Sequence, residues 1–238
     1  MLIALPNAFG DAAQNMAIDA ALLSSIPAHT ALFRHYGWTE PAATFGYTQK
    51  WKAVKALLPD DLRLCRRITG GGIVDHRNDW TYSIHLPRSL PVGDTPPTQL
   101  YLELHLSILE TLQQAGVPGG LAPCPRTCDA ASAPPESAAS QCFIEASAND
   151  VLRPDGAKIA GAALKRTRDA LLIQGSILRE HLPDAFDYAN FQRNFLARLS
   201  RTWELPITEP GDLRPIFQSE HIAREQARFK DPEWLKKR

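Results

Sequence analysis

Four cysteines, at positions 65, 124, 128 and 142, are all that the 238 residues contain. They are too few and too unevenly spaced for a disulfide scaffold. No apolar run approaches the roughly 18 residues that a membrane-spanning helix needs. The first residues lack the basic stretch of a secretory leader and carry Asp11 and Asp19 where its apolar part would lie, so a cytoplasmic protein away from membranes is expected. Charge of one sign is not in surplus either: Lys+Arg 26 balance Asp+Glu 26, which argues against a nucleic-acid wrapper. Three signatures are missing as well: the Walker A loop, the G-x-G-x-x-G dinucleotide fingerprint and the G-x-S-x-G elbow. What is present is enough apolar material for a sizeable core, 44% of residues with 8% aromatic, so wholesale disorder is excluded.

Periodicity places a short helix over 15–23 and strands over 31–36 and 44–47. A further strand over 63–68 runs into Thr69-Gly70-Gly71-Gly72, followed by Ile73-Val74 and a strand over 80–86. The clearest helix spans 98–115, with Leu102, Leu106, Leu109 and Leu112 as its apolar stripe and Gly116 as its stop. Residues 117–141, rich in proline, alanine and serine, read as a long loop. A hairpin follows, 149–152 turning through Arg153-Pro154-Asp155-Gly156 into 158–164, then a strand over 170–173 and helices near 184–199 and 219–229. Strands and helices alternate irregularly and without repeats. The expectation is one domain over 1–238, of the α+β class, with a mixed central sheet flanked by helices.

Several residues carry candidate chemistry. The glycine triplet gives a backbone able to adopt positive φ and to approach a ligand closely. Arg66 and Arg67 before it, and His76 after it, suit a carboxylate, phosphate or acyl oxygen; a plain tight turn explains the triplet equally well. Cys124 and Cys128 lack two further ligands at usable spacing, so no metal site is expected. Cys142 is a small buried hydrophobe unless a cation or base lies beside it. Lys158 opens an apolar strand of small residues (Ala160, Gly161, Ala162, Ala163), which leaves room for a ligand or another backbone.

Taken together these segments resemble one family. Arg66-Arg67-Ile68-Thr69-Gly70-Gly71-Gly72-Ile73-Val74, with His76 two residues on, is similar to the R-R-x-[ST]-G-G-G/R-x-V-x-H loop of lipoate–protein ligases and octanoyltransferases. Asp155-Gly156-Ala157-Lys158-Ile159-Ala160-Gly161-Ala162-Ala163 resembles their D/E-G-x-K-[IV]-x-G-x-A segment, in which the lysine is the essential residue. Asn15-Met16-Ala17-Ile18-Asp19, Gly175-Ser176-Ile177-Leu178 and Phe229-Lys230-Asp231-Pro232-Glu233-Trp234 fit in the same order. Leu164 stands where the family often has Gln, and Gln174 where it often has His.

The resemblance implies a fold like the class II synthetase and biotin–protein ligase catalytic domain. It also implies transfer of a C8 acyl group, octanoyl or lipoyl, to a lysine of a lipoyl-domain protein of the glycine-cleavage H or 2-oxoacid dehydrogenase E2 kind. Lys158 and Cys142 would be catalytic. Arg66, Arg67, Thr69, Gly70, Gly71, Gly72, Ile73, Val74, His76, Gly161 and Ala163 would bind substrate. No tightly bound cofactor is implied, and a monomer is expected.

Two routes remain open. In one, octanoyl from acyl carrier protein is parked on Cys142 as a thioester. In the other, ATP and Mg²⁺ activate lipoate as an adenylate. Cys142-Phe143 ahead of Lys158, and Asn78-Asp79-Trp80-Thr81-Tyr82-Ser83 with its likeness to D-E-L-T-Y-S, favour the first; Gly72 favours the second. A non-catalytic lipoate-binding module is a third reading. What separates catalysis from it is whether Lys158 and the glycine loop line one pocket.

Overall fold

Every residue of the strand Asp79–Pro87 is buried, which requires a sheet covered on both faces. The structure, a computed structural model, describes residues 1–123 and 146–237. Cys124, Cys128, Cys142 and residues 124–141 of the long loop lie outside the described residues.

In chain order the strands are β1 (Leu2–Ala4), β2 (Ala8–Gly10), β3 (Ala31–Trp38), β4 (Ala42–Phe45), β5 (Arg63–Arg66) and β6 (Ile73–Asp75). They continue with β7 (Asp79–Pro87), β8 (Gly120–Leu121), β9 (Val151–Leu152), β10 (Lys158–Arg166), β11 (Ala170–Leu178) and β12 (Ile207–Thr208). The helices are α1 (Ala12–Ser25), α2 (Trp51–Leu57), α3 (Pro97–Gln114), α4 (Tyr188–Thr202), α5 (Ser219–Lys230) and α6 (Pro232–Leu235). The large sheet runs β12-β1-β3-β7-β11-β10-β9-β8, with β2 also paired to β3. Its β1, β2 and β12 edge is parallel, and from β3 through β8 neighbours are antiparallel. A separate small sheet has the order β5-β4-β6. The architecture is a mixed α+β fold, as expected.

Alternation along β7 divides the interior. Trp80, Tyr82, Ile84 and Leu86 join Leu104 and Ile108 of α3 and Phe191 and Phe195 of α4 in the main core. The intervening residues face α1 and are polar: Ser83 donates to Asp19 Oδ1 at 2.8 Å, and His85 Nε2 lies 3.1 Å from the Asp19 carbonyl. One face of β7 therefore joins a hydrophobic core, and its other face is a polar floor beneath α1 and the small sheet, flanked by apolar contacts of Leu32 and Leu172 with α1.

Two sequence expectations change. In α3 the buried stripe is Leu100, Leu104, Ile108 and Leu112, with His105 and Leu109 beside it, whereas Leu102 and Leu106 are each 41% exposed. The helix carries leucine ladders at i, i+4 on two faces, and periodicity alone does not choose between them; packing onto β7 and β10 does. In addition, β11 continues past Ile173 to Leu178, because Gln174 and Ser176 point to the polar floor rather than to solvent. Among the described residues no helix is long and apolar enough to cross a membrane.

The corrected stripe makes a prediction. Leu104→Ala should cost about 2–5 kcal/mol, and Leu106→Ala within about 0.5 kcal/mol of nothing, in urea unfolding. The reverse order would restore the 102/106 face as the buried one.

Candidate functional site

The site is built where β10 meets β9 with a shifted register between Lys158 and Ala160. Such a bulge places two residues of one strand against one of its partner and re-aims a side chain. Here the Lys158 side chain turns inward, 3% exposed, with Nζ 2.7 Å from Asp150 Oδ2. Asp150 is 4% exposed at its side chain and is held by the Ser147 amide, which donates to Oδ2 at 2.6 Å. Gly161 makes this packing possible. A Cβ there would overlap Lys158 Cε and stand 2.6 Å from Nζ and 2.9 Å from Asp150 Oδ1.

Lys158 lines a mainly apolar cavity together with Met16, Val74, His76, Gly161 and Ala163. Arg67, Thr44, Thr81, Gln174 and Ser176 supply its polar edges. Gly70 and Gly71 line an adjoining, more open cleft with Tyr101, His105 and Asp150. Ala162 and Ala163 belong to the walls of both spaces. The lysine and the glycine loop therefore meet at one site, and the Lys158–Asp150 pair stands between its two compartments.

The loop itself is held by hydrogen bonds that sequence reasoning did not supply. Gly71 has φ +85°, which only glycine adopts freely. Arg67 is 3% exposed, and its Nη2 donates to the Gly70 and Gly72 carbonyls at 2.7 and 2.9 Å. Thr69 Oγ1 donates to Gln174 Oε1 at 2.7 Å, and Gln174 Nε2 donates to Asp19 Oδ2 at 2.7 Å. Asp19, wholly buried, also pairs with Arg34 at 2.9 Å and accepts from Tyr36 and Ser83. A carboxylate on α1 thus fixes the threonine of the loop through one amide.

His76 is oriented on every side. Its Nδ1 lies 2.7 Å from Asp79 Oδ2, its Nε2 lies 2.8 Å from Thr44 Oγ1, and its ring stacks on Trp38 at 4.0 Å. Thr81 Oγ1 and Ser176 Oγ also donate to Asp79 Oδ2.

Four residues expected at the ligand, Arg66, Thr69, Gly72 and Ile73, line neither space; Thr69 and Gly72 serve the loop through the hydrogen bonds above. Arg66 is fully buried and donates to the carbonyls of Tyr47, Gln49 and Leu235 at 2.8–3.1 Å. It ties the loop after β4 to α6 and does not line the cavity. Ile73 packs with Phe45 and Val54 behind the loop. Cys65 is buried, and its thiol is pushed up to about 12 by burial, so it is inert. Among the described residues no three His, Cys, Asp or Glu side chains gather as a metal site.

Residues missed in the sequence are Asp150, Asp19, Asp79, Arg34 and His105. Asp19 and His105 did carry a signal, a polar residue on the apolar face of a helix, which is costly unless partnered.

A family model described as the lipoyl protein ligase A/B catalytic domain matches residues 11–195. Octanoyltransferase LipM of Macrococcus caseolyticus is 32% identical over 208 residues, 84% of this chain and 74% of that protein. Octanoyltransferase LipM of Halalkalibacterium halodurans is 30% identical over 225 residues, 88% and 79% of the two chains. The fold is also that of a putative lipoate protein ligase from T. acidophilum with bound lipoic acid, at TM-score 0.73 and 18% identity, covering 99% of this chain and 98% of that one.

The steric role of Gly161 can be tested by a double-mutant cycle. Gly161→Ala should destabilise by about 1–3 kcal/mol in the otherwise unchanged protein, and by clearly less once Lys158→Ala has removed the overlapping tip. Equal costs in both backgrounds would contradict this packing.

Proposed function

The chain belongs to the lipoyl protein ligase A/B catalytic-domain family, and we propose that it transfers an octanoyl group from a carrier thioester to a lysine of a lipoyl-domain protein. The observation that carries this reading is the shared site: Lys158 and the glycine loop border two spaces with common walls. A non-catalytic binding module has no need of a buried ammonium at the junction.

The octanoyl chain occupies the apolar cavity between Met16, Val74 and Ala163, and its carbonyl lies toward Lys158. When an amine attacks that carbonyl, negative charge develops on its oxygen, and a nearby preorganised ammonium stabilises it far better than water would. Burial of Lys158 keeps water from the activated acyl group. Arg67, through the Gly70 and Gly72 carbonyls, and Gln174, through Thr69, hold the loop so that no reorganisation is needed as charge forms. His76, locked by Asp79 and Thr44, shapes the wall of the acyl cavity.

We assign Cys142, which lies outside the described residues, as the residue that first takes octanoyl from acyl carrier protein. A thioester is exchanged for a thioester, so the step is nearly balanced, and the acceptor lysine then releases the thiol. The names of the relatives support octanoyl transfer.

The test is to incubate the protein with a lipoyl-domain acceptor and octanoyl-acyl carrier protein without ATP, and to weigh the acceptor by mass spectrometry. An octanoyl adduct on one lysine is expected. Cys142→Ala should abolish it, and Lys158→Met should lower the rate by about a hundredfold or more, with melting curves recorded because removing one partner of a buried pair costs about 3–5 kcal/mol. Modification only with lipoate, ATP and Mg²⁺, and undiminished in Cys142→Ala, would replace this reading by adenylate-forming ligation.

A further inference from the structure

On the far side of the Lys158–Asp150 pair from the acyl cavity, α3 presents an imidazole that the mechanism above leaves unused. His105 is 1% exposed, and its ring stacks with that of Tyr101 at 6.0 Å between centroids. Nδ1 lies 2.8 Å from the carbonyl oxygen of Asn149. A carbonyl only accepts, so Nδ1 carries the proton and Nε2 keeps its lone pair. Asn149 stands in the left-handed region at φ 68°, a conformation asparagine tolerates, so the carbonyl is presented by a fixed turn directly before Asp150.

Nε2 itself is buried and has no hydrogen-bond partner among the described residues. A buried lone pair without a donor costs free energy unless something fills the role. His105 lines the open cleft with Gly70, Gly71, Asp150, Ala162 and Ala163. Burial lowers its pKa to about 4, against the raising effects of Asp150 and the Asn149 hydrogen bond, while Lys158 lowers it further. The ring is therefore neutral at neutral pH, with the Nε2 lone pair unprotonated.

The geometry sorts the two compartments by chemistry. Lys158 lines the apolar cavity, the side to which the proposed function assigns the acyl chain. Asp150, whose Oδ2 is 2.7 Å from Lys158 Nζ, lines the cleft with His105, Tyr101 and Ser147, and a carboxylate beside a neutral imidazole suits a group that brings N–H donors. An amine is such a group.

We propose that His105 is a catalytic base: Nε2 takes the proton from the acceptor lysine as that amine, entering through the cleft, attacks the acyl carbon. This rests on the acyltransferase reading above. The lone pair of the neutral amine forms the C–N bond, and the C–S bond breaks with its electron pair leaving on sulfur. The proton shed by nitrogen passes to Nε2, and the imidazolium returns it to the thiolate. Thioester and amine become amide and thiol. Asp150 stabilises the imidazolium while it lasts.

The test compares two nucleophiles on the full-length protein. With octanoyl-acyl carrier protein as donor, transfer is measured to the lipoyl-domain lysine and to hydroxylamine, which at neutral pH attacks strongly without help from a base. His105→Asn keeps a donor for the Asn149 carbonyl and removes Nε2. His105→Gln places an amide oxygen near Nε2 that accepts a hydrogen bond but takes up no proton.

In both variants transfer to the lipoyl domain should fall about a hundredfold or more, while octanoyl hydroxamate forms at close to the wild-type rate and melting temperatures stay close. Parallel loss of both reactions would make His105 structural, and full lipoyl-domain transfer in His105→Gln would reduce it to a hydrogen-bond acceptor; either overturns the proposal. A wild-type protein that transfers octanoyl to neither nucleophile would instead overturn the acyltransferase reading, and the assignment of His105 with it.

Discussion

A buried ion pair between Lys158 and Asp150 is the constraint around which the site is arranged. Its side chains are 3% and 4% exposed, and taking two charges out of water costs several kcal/mol per ion before their attraction repays it. Such a pair is weak evidence for stability and better evidence for a task. The surroundings are consistent with that view. A bulge turns Lys158 inward, Gly161 forgoes a side chain so that the ammonium can lie across it, and the Ser147 amide pins the carboxylate. Each feature is local, and each makes sense only if the ammonium must stand where the two compartments meet.

The same logic extends across the α1-facing side of the large sheet. Asp19 and Asp79, both buried, each gather several donors, and each reaches a cavity wall through an intermediate group, Gln174 in one case and His76 in the other. A hydrophobic floor of equal volume would stabilise a fold at least as well. A polar floor gives instead a fixed orientation to Thr69 and His76, through their hydrogen bonds to Gln174 and Asp79. Stability is carried mainly by the opposite face, where aromatic and leucine side chains of β3, β7, α3 and α4 pack together.

Much of this was legible in the sequence, and the parts that were not have physical reasons. The strands on either side of the glycine triplet, the hairpin before Lys158 and the mixed sheet could be read, since alternation and turn chemistry are local signals. The glycine loop and the lysine were found by motif. Arg66 was misread because a guanidinium suits backbone carbonyls as well as it suits anions, and sequence does not say which will be near; here they come from Tyr47, Gln49 and from Leu235, far along the chain. Asp150 and His105 escaped because their significance is a distance, and that distance is made by α3 packing against β9 and β10. The α3 stripe failed for a related reason: two leucine ladders share one helix, and only tertiary contact selects between them.

The central claim is that the acyl chain lies on the Lys158 side of the ion pair and the incoming amine on the Asp150 side. A crystal structure of the protein with a non-hydrolysable octanoyl amide tests it most directly. The account predicts the chain between Met16, Val74 and Ala163, its carbonyl oxygen within hydrogen-bonding distance of Lys158 Nζ, and its amide nitrogen directed to the cleft of Asp150 and His105. An octanoyl chain seated in the cleft itself, or a carbonyl turned away from Lys158, would contradict it.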